Sequence, residues 1–174
     1  KQRTAELIRP ILRGRDIKRY SYDWANLWLI YIPWHFPLQF DNNIQGASIK
    51  AEIEFKRLYS AVYKHMLEYK EPLSKRNKAE TCIRYEWYAM QRWGAKYWDL
   101  FFKPKICWKA VGKNLAFAIV DSGTFLTAPA SFISANDNND IILAYLCSSL
   151  GKYYIYQNSD TTGAGDIMLN IQSL

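Results

Sequence analysis

Histidine is nearly absent from this 174-residue sequence, which holds only His35 and His65. His35 lies between Trp34 and Phe36, and His65 falls in a helix-patterned stretch. Neither has a Cys, Ser or carboxylate at a motif spacing, so both read as packing or surface residues rather than parts of a nucleophilic site. Cysteine is almost as scarce. Cys82, Cys107 and Cys147 are odd in number and widely separated, with no C-x-x-C pair and no Cys/His cluster. That pattern argues against a disulfide framework and against a zinc site. Cys107 and Cys147 sit in apolar surroundings and read as buried thiols of a reducing, cytoplasmic setting.

Glycine numbers only eight, and none opens a phosphate-binding loop after a strand. Gly163-Ala164-Gly165 follows a helical pattern and precedes a short apolar run, the wrong context for a nucleotide fingerprint. No paired aspartate precedes a Glu-x-Lys in strand context, and Asp140 and Asp166 read as capping or loop acids. A secretory leader pattern and an apolar run of membrane-spanning length are both missing. The residues therefore predict no catalytic group, metal, cofactor or membrane partner for this chain. Starting in charged sequence without Met, it reads as one domain, residues 1–174, cut from a longer protein.

What is present is positive charge and aromatic rings. Lys and Arg number 23 against 16 Asp and Glu, a net charge of +7, which favours a polyanionic partner. Seven Trp and thirteen Tyr exceed what a core of this size needs, so some should stand at a surface. Nucleic acid, carbohydrate and a protein interface all suit that combination. The most telling run is 7–20, where an apolar element leads into a turn with Arg13, Arg15, Lys18 and Arg19 against one acid, Asp16. Gly14 would let the backbone turn tightly there and approach a ligand. Arginine's planar fork can grip phosphate or a guanine edge, although a solvated charged loop also explains the run.

Along the chain, 27–33 reads as a buried strand and 47–69 as one helix ended at Glu71-Pro72. The polar run 74–80 is the best candidate for a mobile loop. A brief helix at 96–102 leads through Lys103-Pro104 into a strand at 106–110. Segments 115–120 and 124–126 flank Asp121-Ser122-Gly123, a strong hairpin signal. A strand at 130–134, a helix from 141 to 150 with an aromatic continuation, and a small-residue loop at 159–165 complete the reading. The fold class predicted is α+β, a curved, mostly antiparallel sheet with a few packed helices.

Two further groups offer binding chemistry. Arg84, Tyr85, Trp87, Gln91 and Arg92 interleave cations, rings and an amide, which clamp phosphate, stack on bases and read purine edges. A helix with one aromatic face in the core explains the rings equally well but leaves the arginines idle. Lys103, Lys105, Lys109 and Lys113 add charge that could steer DNA.

In order along the chain, the blocks 7–20, 87–92, 100–106, 117–125 and 142–150 with Gly163 downstream resemble the TaqI-like C-terminal specificity domain. That domain is the target-recognition part of fused type II restriction-modification enzymes and adenine-specific DNA methyltransferases. The resemblance implies that this chain grips duplex DNA and reads a short sequence in bacterial defence. Methyl transfer from S-adenosylmethionine would belong to a separate methyltransferase domain of the same parent chain, and Mg²⁺ to a fused nuclease. Arg13, Arg15, Lys18 and Arg19 would contact DNA near the join to the catalytic domain. Tyr85, Trp87, Gln91 and Arg92 would lie nearer the bases, and the lysines of 103–113 on phosphates. Two departures leave base preference open: Trp93-Gly94-Ala95 replaces a proline-containing turn, and Cys107-Trp108-Lys109 lacks the usual Tyr-Pro. The competing readings are a scaffold domain with an aromatic docking surface and a hydrolase with an unseen carboxylate–metal site.

Overall fold

The structure, a computed structural model, describes residues 2–170. Among them are six α-helices and nine short strands in three small, mostly antiparallel sheets, with no closed barrel. This is the α+β class that the sequence pattern predicts. The chain divides into two compact units, Lys1–Arg9 with Ile30–Lys96 and Pro10–Leu29 with Tyr97–Leu174. It passes from one to the other within strands β1 (Ile8–Leu12) and β2 (Trp28–Ile30), and again after Lys96.

The first unit is mostly helical: α1 (Gln2–Ala5), α2 (Ile49–Leu58), α3 (Ser60–Leu67) and α4 (Lys70–Ser74). Helix α2 starts where Ser48 caps it, the hydroxyl accepting from the Ala51 amide at 3.2 Å. The single helix predicted over 47–69 is broken at Tyr59, whose φ of −127° and ψ of 44° leave the helical region. The break lets Phe55 and Val62 enter one core while the Tyr59 ring packs 4.9 Å from Phe36. Ile49 and Ile53, whose helical spacing with Val62 and Met66 suggests a buried stripe, are exposed instead, and Ala51 and Phe55 face inward. Pro72 does not end the helix either. It stands in the first turn of α4, where its missing N–H costs no hydrogen bond.

The core of this unit gathers Leu7, Ile32, Phe36, Phe55, Val62, Tyr85, Trp87, Tyr88 and Ala89. Its one deeply buried carboxylate, Glu86, accepts from the His35 amide (2.7 Å) and the Ser48 amide (2.9 Å), and lies 3.0 Å from His35 Nδ1. A buried carboxylate needs such partners, and His35 has the structural role its neighbours suggested. The run 74–80, read as a mobile loop, is tied down: Arg76 Nη2 donates to the carbonyls of Trp87 (3.0 Å) and Ala89 (2.7 Å).

The second unit holds β3 (Lys105–Lys109), β4 (Val111–Gly112), β5 (Phe117–Val120), β6 (Phe125–Leu126), β7 (Ala130–Ile133), α5 (Asn139–Cys147), α6 (Ser149–Asn158), β8 (Asp160–Thr161) and β9 (Ile167–Met168). Strand β3 lies antiparallel between β5 and β7, with Cys107 opposite both Ala118 and Phe132. Side chains alternate across a strand, so Ile106 and Trp108 enter one core while Cys107 enters another with Leu12, Ile17, Ala118 and Val120. The helix read over 141–150 is two helices. Ser148 is extended and caps α6 by accepting from the Gly151 amide at 3.0 Å. A Cβ on Gly151 would fall 2.1 Å from the Tyr145 carbonyl oxygen, so only glycine fits that corner.

The turn at 121–124 exists, with Gly123 at φ +81° and the Thr124 amide donating to the Asp121 carbonyl at 3.3 Å. It does not close a hairpin. Strand β5 pairs with β3, whereas β6 runs parallel to β1 with Ile11 opposite Phe125. Each residue of the turn's tip is pinned. Asp121 accepts from the Tyr22 hydroxyl (2.9 Å), Ser122 donates to the Phe102 carbonyl (2.6 Å), and the Gly123 amide donates to the Phe101 carbonyl (2.9 Å).

Candidate nucleic-acid interface

The cationic turn of the second unit is a 3-10 turn, Gly14–Asp16, that follows β1. Asp16 is buried and accepts from the Arg13 amide at 2.8 Å and from its guanidinium at 2.7 to 3.2 Å. These hydrogen bonds hold the Asp16 carboxyl below the usual carboxylate range. Arg13 is thereby consumed in shaping the turn. Arg15, Lys18 and Arg19 are exposed, and among the described residues none of the three forms an ion pair. Lys18 Nζ reaches the Arg15 carbonyl at 3.3 Å, and Arg19 Nη2 the Cys147 carbonyl at 3.3 Å.

Gly14 matters for a different reason than the one its neighbours suggested. It does not have a left-handed conformation; it is buried under Lys109, and a Cβ there would meet Lys109 Cγ at 3.0 Å. The turn is thus meshed with β3, and the exposed Lys109 joins its cations. Lys103 and Lys113 are exposed as well. Lys105 is not available to DNA. It is fully buried and donates to the carbonyls of Phe101 (2.9 Å), Lys103 (3.0 Å) and Asp121 (3.3 Å), while burial lowers its pKa from the ordinary lysine value.

In the first unit the block 84–92 resolves differently. Tyr85 and Trp87 are buried, so the rings expected near the bases are core residues. Tyr85 stacks on Trp34 with centroids 4.8 Å apart, and Trp87 Nε1 donates to Glu52 at 2.8 Å. Glu52 also accepts from Tyr63, whose hydroxyl pKa burial and this carboxylate push up to about 12. The arginines are occupied too. Arg84 and Arg92 converge on Glu80 at 2.7 and 2.9 Å, and Arg84 lies 5.3 Å over the Trp34 ring. Their hydrogen bonds, Arg92's foremost, keep the Glu80 carboxyl below its ordinary range. Gln91 is half-buried.

Sequence reasoning missed three features. Glu80 organises both arginines, and its position four residues before Arg84 was the available signal. Arg76 ties down the 74–80 run. Trp24 and Trp28, just past the cationic turn, are exposed and pack edge to face at 4.9 Å. Of the thirteen candidate residues, the structure brings Arg13, Arg15, Lys18, Arg19 and Lys109 around one turn. The block 84–92 belongs to the other unit.

The second unit thus presents exposed cations, none of them in an ion pair among the described residues, around one hydrogen-bonded turn. A family model of the TaqI-like C-terminal specificity domain matches residues 9–174. The chain belongs to that family. No curated protein matches the sequence. Membership gives it a role in DNA target recognition in restriction-modification enzymes, and a specificity domain is not itself the catalytic part. No helix among the described residues is long and apolar enough to cross a membrane.

Proposed function

We propose that the chain recognises a short duplex DNA sequence as the specificity domain of a restriction-modification enzyme or an adenine-specific DNA methyltransferase. Methyl transfer from S-adenosylmethionine, and any Mg²⁺-dependent cleavage, belong in this reading to other domains of the parent protein. The observation that carries it is the coincidence of the family match over residues 9–174 with exposed Arg15, Lys18, Arg19 and Lys109 around one turn. These cations neutralise phosphates and fix the register of the protein on the duplex. Asp16 serves them by holding Arg13, which sets the shape of the turn. Lys103 and Lys113 extend the positive charge.

The test is binding of short random-sequence duplexes across about 50 to 200 mM salt, followed by selection of the bound fraction. Affinity is expected to fall steeply with salt, and the selected pool to converge on one short motif. A flat salt dependence, or a pool that stays random, would remove this reading.

A further inference from the structure

Trp24 stands on a loop fastened at both ends to the cationic turn and its strand, and Trp28 follows that loop as the first residue of β2. The Asp23 amide donates to the Asp16 carbonyl at 2.8 Å, and the Ile11 amide to the Leu27 carbonyl at 3.1 Å. The two indoles meet at an interplanar angle of 84°. Their N–H groups are both spent internally. Trp24 Nε1 donates to the Leu27 carbonyl at 3.1 Å, and Trp28 Nε1 to Asn26 Oδ1 at 3.3 Å. Asn26 has φ 54°, a left-handed value that asparagine tolerates better than most residues. The rings are therefore held in place, yet Trp24 is 39% and Trp28 57% exposed. With their donors satisfied, what they offer a partner is ring surface.

The surroundings say what kind of partner. Tyr20, 56% exposed, carries the Arg19 guanidinium 5.0 Å over its ring, and its amide is fixed to the Phe117 carbonyl at 2.8 Å. Arg15, Lys18 and Arg19 lie on the same anchored segment, and of its two turn-side acids Asp16 is neutralised by Arg13 while Asp23 is exposed. An apolar protein surface would use the rings and leave the cations idle. A nucleobase with its phosphate uses both, because every base has a stacking face and every nucleotide a charge.

The geometry points to a stacking platform: the Trp24–Trp28 pair receives the face of a nucleobase displaced from the duplex stack, while Arg15, Lys18 and Arg19 hold the adjoining phosphates. This rests on the DNA reading above and adds that the chain binds distorted or opened DNA in preference to regular duplex. Such a ring pair recovers stacking free energy that an extruded base has lost.

The experiment compares three probes at low salt: a short paired duplex, the same duplex with one central mismatch, and the corresponding single strand. The full chain is used as wild type and as W28A, W28F and W24A/W28A, with thermal melting as the folding control. The wild type is expected to bind the mismatched duplex about tenfold more tightly than the paired one, the size that removal of one base–aromatic stack produces. W24A/W28A and W28A lose that preference and keep their affinity for the paired duplex. W28F retains most of it, which supplies a readout even if the alanine variants melt early. Equal affinity of the wild type for all three probes, or a preference that survives in folded W24A/W28A, overturns the platform and leaves DNA binding intact. No binding of any probe by the wild type overturns both. A change confined to self-association in W28A would reassign the rings to a protein contact and also overturn the platform.

Discussion

The two regions richest in Arg and aromatic side chains, 13–28 and 84–92, look alike in composition and differ in what their groups have left to offer. In 84–92 both arginines are held by Glu80, and Tyr85 and Trp87 lie in the core. In 13–28 only Arg13 is consumed, and Arg15, Lys18, Arg19, Trp24 and Trp28 remain accessible. Residue type nominates a site; pairing and burial decide it. A carboxylate at the right spacing turns would-be DNA contacts into structure.

The sharpest way to separate the regions is to remove a ring from each. Trp87→Ala should cost about 3 to 5 kcal/mol, because it empties a buried site and removes one of the two donors to Glu52. The urea midpoint would fall accordingly, and any loss of DNA binding would track unfolding. Next in size, Lys105→Met removes the buried ammonium that donates to three carbonyls and should cost about 2 to 3 kcal/mol, read from the same titration. Lys103→Met, an exposed neighbour, is the control and should leave the midpoint unchanged.

Charge removal should then give opposite readouts in the two regions. Alanine at Arg15, Lys18 and Arg19 together should leave stability unchanged and lower the salt slope of duplex binding by about 2 to 3, if each neutralises one phosphate. Alanine at Arg84 and Arg92 should leave the slope intact and lower the urea midpoint only slightly, as loss of exposed pairs does. An equal loss of slope in both variants would break the contrast. The smallest effect concerns pH. Asp16 and Glu80 have carboxyls lowered by their arginines, so the stability they supply is present above about pH 4, the ordinary carboxylate value. It is lost as pH falls through their lower folded values. Asp16→Asn should flatten the acid limb of urea midpoint against pH.

Much of the architecture was legible in local chemistry. Gly123 marked a turn, Cys107 and Cys147 were buried as their apolar neighbours implied, and strand β3 fell within one residue of its expected start. The errors arose where long-range packing overrode local pattern. Tyr59 and Ser148 interrupt stretches whose periodicity reads as continuous helix, because a ring docks at the first and a hydroxyl caps a new helix at the second. Strands β5 and β6 flank an ordinary turn yet find partners far away in sequence. For the candidate site, the cationic turn could be seen in Arg13, Arg15, Lys18 and Arg19. The burial of Lys105, Tyr85 and Trp87 could not, since a lysine beside three carbonyls and a lysine in water have the same letter.

The turn at Asp121–Thr124 also limits how this chain can change. Because β5 and β6 leave it for different sheets, one inserted residue would either break the hydrogen bonds that pin its tip or slip the Cys107–Ala118 or the Ile11–Phe125 register. A slip of one reverses which side chains face the core, so Ala118 and Val120, or the Phe125 ring stacked on Phe101, would turn outward. Length variation is thereby shut out of this corner. An engineer seeking new target preference would graft loops elsewhere and keep Asp121-Ser122-Gly123 at its present length.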